Sequence, residues 1–220
     1  NIPKPTQVAA AAVTAPLAGD FLSAYGSIAP DGSGASLTQV RRYNTVDNIP
    51  PIVAGGYALR LRNAADAQLA EYAFTPAAGE DGWLPFGQVV NFVAGARKVE
   101  IVRLADNTVL ASQAVSPNPP VVTGVAAPAV AAADADAVTL SWSASDPDND
   151  ALTYDVLYSR DGGITFQPVL FRVTVTSATI DTSMLGGSTK ALFQVIASDG
   201  VNTGFANSPQ FTLAARPPRV

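Results

Sequence analysis

Three aspartates alternate along one short run, Asp146-Pro147-Asp148-Asn149-Asp150. Alternate carboxylates on a single loop can turn their oxygens toward one point, and calcium takes about six to eight hard oxygen ligands. The run therefore makes Asp146, Asp148 and Asp150 the expected ligands of a structural Ca²⁺. Asp199 or Asn202, from a later turn, would add to them if it lies at the same end. Such an ion would stiffen the loop and take no part in turnover. The same residues also read as a plain solvated turn, with aspartates capping backbone amides and Pro147 fixing φ. Glycoside hydrolysis needs carboxylates that face each other across a cleft, which acids crowded on one loop do not supply. Glu71, Glu80 and Asp81 are further acids without a pattern around them.

Aromatic side chains offer a second chemistry, because a sugar ring can stack on an indole or phenyl face. Trp83 with Phe86, beside Gly82, forms the candidate ligand platform, and Tyr158 with Phe166 comes next. Core packing competes for the same rings, since aromatics are 8% of the chain and large side chains are in demand inside a sandwich. The strings Asp161-Gly162-Gly163 and Leu185-Gly186-Gly187 are turns: neither opens a helix nor leads into Lys-Ser/Thr. Lys98 and Lys190 read as surface charges. With no Cys and no His in 220 residues, thiol nucleophiles, Ser-His-Asp triads, disulfides and the usual zinc sites are excluded. The reading is that of a chain that is not an enzyme.

The balance of 13 Lys and Arg against 18 Asp and Glu gives a net charge of −5. Binding to nucleic acid needs clustered cations, and the adjacent pair Arg41-Arg42 reads as a solvated strand face. No apolar stretch approaches the roughly 20 residues of a membrane-spanning helix, so membrane insertion is not expected. The chain opens Asn1-Ile2-Pro3-Lys4-Pro5, which reads as a piece of a longer or processed polypeptide. Heavy use of Ala, with Arg preferred to Lys, suits a bacterial source.

The elements that must position these residues are strands. Helical periodicity is almost absent, and short apolar/polar alternations end at Gly, Pro, Asn and Asp. Tyr57, Leu59 and Leu61 alternate with Ala58, Arg60 and Arg62; Leu152, Tyr154, Val156 and Tyr158 alternate with Thr153, Asp155, Leu157 and Ser159. The pattern predicts an all-β protein of two tandem antiparallel β-sandwich domains. Residues 1–16 form an extended lead-in, 17–116 the first sandwich, 117–120 a Pro-rich hinge and 121–220 the second sandwich. A hinge that short implies that the halves touch at a fairly fixed angle. The acidic, Ala-rich stretch 125–137 would carry the first edge strand of the second sandwich, or a loop.

Leu140-Ser141-Trp142, Leu152-Thr153-Tyr154-Asp155-Val156, and Phe193-Gln194-Val195-Ile196-Ala197 followed by Asp199-Gly200 together resemble a fibronectin type III (Ig-like) domain over residues 120–214. The resemblance makes Trp142 the core tryptophan of the second strand. It departs at one corner: the family's tyrosine before the sixth strand falls on Ala191, so that corner must be braced differently. Ser145-Asp146-Pro147-Asp148-Asn149-Asp150-Ala151-Leu152-Thr153-Tyr154 also resembles a segment of bacterial cadherin-like surface modules, with Asn149 at the usual Gly. These resemblances imply a non-catalytic accessory or spacer segment of a larger secreted or cell-surface bacterial protein, such as the C-terminal part of an exported hydrolase. Its partners would be the other domains of the parent polypeptide. The alternative is a carbohydrate- or protein-binding module that uses loops at a sandwich end for a glycan or protein ligand.

Overall fold

A computed structural model of the chain describes residues 17–47, 52–126 and 137–215. The expected lead-in at 1–16 and most of the Ala-rich stretch at 125–137 lie outside them. The first half begins with a long hairpin, β1 (Leu17–Ile28) and β2 (Ala35–Asp47). Its turn fits its residues: Asp31 accepts the Ser33 amide at 2.9 Å and Gly32 takes φ +67°. A second hairpin follows, β3 (Tyr57–Arg62) and β4 (Gln68–Phe74). Next come β5 (Leu84–Asn91) and a third hairpin, β6 (Lys98–Arg103) and β7 (Thr108–Ala114). The strands sort into two antiparallel sheets, β2-β1-β5 and β4-β3-β6-β7.

Alternation decides what these sheets bury. Leu59 and Leu61 point into an apolar cluster with Leu22, Ile28, Phe74, Phe86 and Ile101. Each such side chain contributes about 1.5–3 kcal/mol on burial. The opposite face of β3 carries Arg60, which reaches Glu71 at 2.7 Å and Asn107 at 2.7 Å, while Arg62 reaches Glu100 at 2.7 Å. Arg60 and Glu100 are nearly buried by this cross-strand ladder, so the charged face is also a packed one. Lys98 belongs to it as well, bonding Asp66 at 2.5 Å. That ion pair, with Arg62 behind it, holds the Asp66 carboxyl below its ordinary range.

The second half carries β8 (Val121–Thr123), β9 (Ala137–Ser141), β10 (Ser143–Ser145), β11 (Thr153–Ser159), β12 (Gln167–Val173), β13 (Ser177–Asp181), β14 (Ser188–Ser198), β15 (Thr203–Asn207) and β16 (Phe211–Leu213). β9 and β10 are one line of chain interrupted at Trp142; β9 pairs with β13 and β10 with β8. The facing sheet runs β12-β11-β14-β15, and β16 pairs with the start of β14. Ser208 and Pro209 split the final run: the Ser208 hydroxyl accepts the Phe193 amide at 3.0 Å, in place of a ladder bond. Trp142 lies in the core against the edge of Tyr154, centroids 5.5 Å apart, with Val156, Ile180 and Phe193 in the same cluster.

A tyrosine ties β11 to the segment just before β14. Tyr158 on β11, 1% exposed, donates its hydroxyl to the Gly186 carbonyl at 2.6 Å, just before β14. Burial pushes its phenol upward, so it stays a donor. Ala191 is fully buried in the apolar cluster of this half.

Candidate functional site

The acidic loop singled out in the sequence lies at the seam between the sandwiches. The segment 115–120 is clasped by the acidic loop: the Ser116 hydroxyl bonds Asp150, and Asn118 donates its backbone and side-chain amides to Asp148 at 2.8 and 2.9 Å. The Pro120 carbonyl crosses β15 so closely that a Cβ at Gly204 would sit 1.9 Å from its oxygen. The turn before β15 reaches further. Val201, 1% exposed, joins the apolar cluster of the first sandwich. Its carbonyl accepts the Arg42 amide at 2.7 Å, Thr203 donates to the Arg42 carbonyl at 3.3 Å, and Asn202 donates to the Ser116 carbonyl at 3.1 Å.

Arg41 and Arg42 are therefore not a solvated face. Arg42 turns inward, forked onto Asp20 with its closest contact at 2.6 Å and lying over the Phe92 ring at 4.1 Å. Arg41 crosses the seam to Asp155 at 3.0 Å. Strand alternation makes both strand-like but cannot say that a second body waits on the far side.

Of the three expected calcium ligands, the structure brings two together and replaces the third. One carboxylate oxygen from each of Asp146, Asp150 and Asp199 lies within 4.8 Å of the others, and all three residues are half-buried. Asp148 turns to Asn118 and lies outside this cluster. Asp146 Oδ1 accepts the amides of Asp148 at 2.8 Å and Asp150 at 3.3 Å. Its Oδ2 is buried without a hydrogen-bond partner, an arrangement that costs free energy unless something positive faces it. Asp199 is held by the amides of Val201 and Asn202 at 2.7 and 2.6 Å. Asn149 has φ +62°, the left-handed geometry that Gly accepts freely and Asn better than most.

The aromatic platform divides. Trp83 is 45% exposed, just before β5. Phe86, 6% exposed, points into the core and packs at a tilt against Phe74, centroids 5.3 Å apart, so its ring offers no face to a ligand. Register explains this: Phe86 pairs with Gly26, whose missing side chain leaves the room that the ring occupies. Tyr158 is the corner brace, and Phe166 is half-buried. Glu71 is tied to Arg60; Glu80 and Asp81 lie in an exposed 3-10 turn.

A groove of about 440 Å³ runs along the seam between β2 on one side and β11 with β12 on the other. Sequence reading missed it, because neither half contains it alone. Phe171 on its rim is 66% exposed. Among the described residues no helix is long and apolar enough to cross a membrane.

No family model matches the chain, and no curated protein matches it. Among solved structures it is similar to a chain described as "Biofilm associated protein - BSP domain", at 15% identity. That similarity covers 82% of this chain and 28% of the other, with a TM-score of 0.23. A superposition that loose transfers nothing to this chain.

Proposed function

We propose that this chain is a non-catalytic accessory segment, a stiff spacer, in a larger secreted or cell-surface bacterial protein. One observation carries the reading: the side chain of Val201 from the second sandwich completes the apolar interior of the first. A loop that is part of another body's core resists bending, and a fixed angle is what holding a neighbouring domain at a distance requires. The second sandwich is read as fibronectin type III-like. In support, Trp142 sits mid-strand in the smaller sheet and packs on a five-stranded sheet of order β12-β11-β14-β15 with β16 also on β14. Antibodies raised against the segment should label intact cells of the source organism, and surface proteolysis should abolish the label. Labelling only after lysis would defeat the surface assignment.

A second reading adds a cation. Buried Asp146 Oδ2, unpartnered and beside two further carboxylates, favours Ca²⁺ held by Asp146, Asp150 and Asp199. At about 100-fold excess over Kd a bound ion stabilises by about 2.7 kcal/mol. For a chain of this size that raises Tm by about 5–10 °C. Millimolar Ca²⁺ should produce the rise in the native chain and not in Asp146→Asn. Equal melting curves with Ca²⁺ and with chelator would remove the ion from the account.

A further inference from the structure

The geometry points to the seam groove as a binding site for a carboxylate-bearing saccharide, an acidic glycan. Its volume of about 440 Å³ falls within the range of roughly 300–1,000 Å³ typical of small-molecule sites, room for a short saccharide. The rim is built by an irregularity in β12. Opposite Asp155 the pairing passes from Tyr154–Val173 to Val156–Leu170, so Phe171 and Arg172 together face one residue. Arg172 adopts φ +49°, a left-handed conformation that a long side chain rarely takes. Asp155 holds it there: one carboxylate oxygen accepts the Arg172 amide at 2.9 Å, and the other accepts Arg41 from the first sandwich at 3.0 Å. A strained backbone fixed by a nearly buried acid is the sort of outlier that marks a working surface.

The bulge presents a particular set of groups. Phe171 has no aromatic partner among the described residues and leaves two thirds of its surface to solvent, which suits the apolar face of a pyranose. The Arg172 guanidinium has no hydrogen-bond or ion-pair partner among the described residues, and a free fork of this type grips a carboxylate with two parallel bonds. The side-chain amides of Gln39 and Gln113 line the opposite wall, likewise unpartnered, with donors and acceptors for ring hydroxyls. Arg41 and Arg172 against Asp155 leave the groove positive in a chain of net charge −5. A single unpaired guanidinium is too little for a polyphosphate backbone, which needs clustered cations. Polar walls with one aromatic face fit a sugar better than an apolar ligand.

The test titrates the full 220-residue chain with a uronic acid trisaccharide, its methyl ester and a hexaglutamate peptide, followed by ¹⁵N-resolved NMR shifts and calorimetry. The trisaccharide should move resonances of β2, β11 and β12, and the ester should bind roughly tenfold more weakly or worse, as expected for losing a charged hydrogen bond. Phe171→Ala and Arg172→Gln should each weaken the acid by a similar factor, while Lys190→Gln should leave it unchanged. Both rim side chains are exposed, so the variants should melt with the native chain; a variant that does not is replaced by Arg172→Lys, which keeps charge but loses the fork. Groove resonances that stay still at tens of millimolar trisaccharide, native affinity in both rim variants, or equal binding of hexaglutamate would each overturn the proposal.

Discussion

Val201 allows the stiffness of the seam to be tested with graded substitutions. Its side chain is 1% exposed within the apolar cluster of a body to which it is not covalently adjacent. Val201→Ala removes two buried methyl equivalents, at about 0.8 kcal/mol each, or about 1.6 kcal/mol in all. That raises the population in which the loop is undocked by roughly fifteen-fold. Val201→Asp adds a carboxylate that the site cannot pair, a penalty of several kcal/mol. Against it stand little more than the Arg41–Asp155 bridge, whose arginine side chain is 30% exposed, and a few hydrogen bonds; a partly solvated pair contributes about 1 kcal/mol at most. The aspartate should therefore undock the loop while both sandwiches keep their own strands. ¹⁵N relaxation then distinguishes the states: one shared rotational correlation time in the native chain, two shorter and unequal ones in Val201→Asp, with amide dispersion retained. Identical relaxation in both halves of Val201→Asp, together with an unchanged melt, would refute the claim that this side chain couples the bodies.

Two further perturbations probe the second sandwich alone. Tyr158→Phe deletes the hydroxyl that reaches Gly186 at 2.6 Å from a side chain 1% exposed, and should cost about 1–2 kcal/mol in chemical denaturation; a midpoint equal to that of the native chain would show that the corner needs no brace. Asp161 is held well below the usual carboxylate range by the Thr165 hydroxyl and amide and the Ser159 hydroxyl. A depressed folded value adds stability above the unfolded pKa of about 3.9 and loses it as pH falls toward the folded one. Asp161→Asn should thus lower Tm at neutral pH and flatten the decline between about pH 4 and pH 2; an acid limb parallel to that of the native chain would count against the linkage.

How far the sequence could be read depends on the distance over which each feature is decided. Strand content and inward faces are local: Leu59, Leu61, Val156 and Tyr158 alternate as expected and are buried. The left-handed need at Asn149 is local too, and residue type signals it. Register is not local. Phe86 was a ligand platform by sequence neighbourhood and became core because β5 sets it against Gly26 on a strand some sixty positions earlier. The acid cluster mixes both scales: Asp146 and Asp150 come from one loop, but Asp199 enters only because β11 and β14 pair, Thr153 with Ser198. Asp148 left the set because Asn118 sits within reach of it, a contact between segments that no spacing rule encodes. Arg42 follows the same logic, since its partners Asp20 and Phe92 come from elsewhere in the chain.

The contacts of Asp148, Asp199 and Arg42 meet at the seam, and that has a thermodynamic consequence. The groove has one wall from β2 and the other from β11 and β12, so it exists only when the bodies are docked. A ligand that needs both walls binds the docked state alone and must favour it by RT ln(1 + [L]/Kd), about 2.7 kcal/mol at 100-fold excess. That exceeds the deficit of about 1.6 kcal/mol assigned to Val201→Ala but not the several kcal/mol of Val201→Asp. A saturating groove ligand should therefore more than reverse the roughly fifteen-fold rise in undocked population of Val201→Ala and leave Val201→Asp divided. A ligand that bound one sandwich by itself would restore neither variant, because affinity that is equal in two states shifts no equilibrium between them.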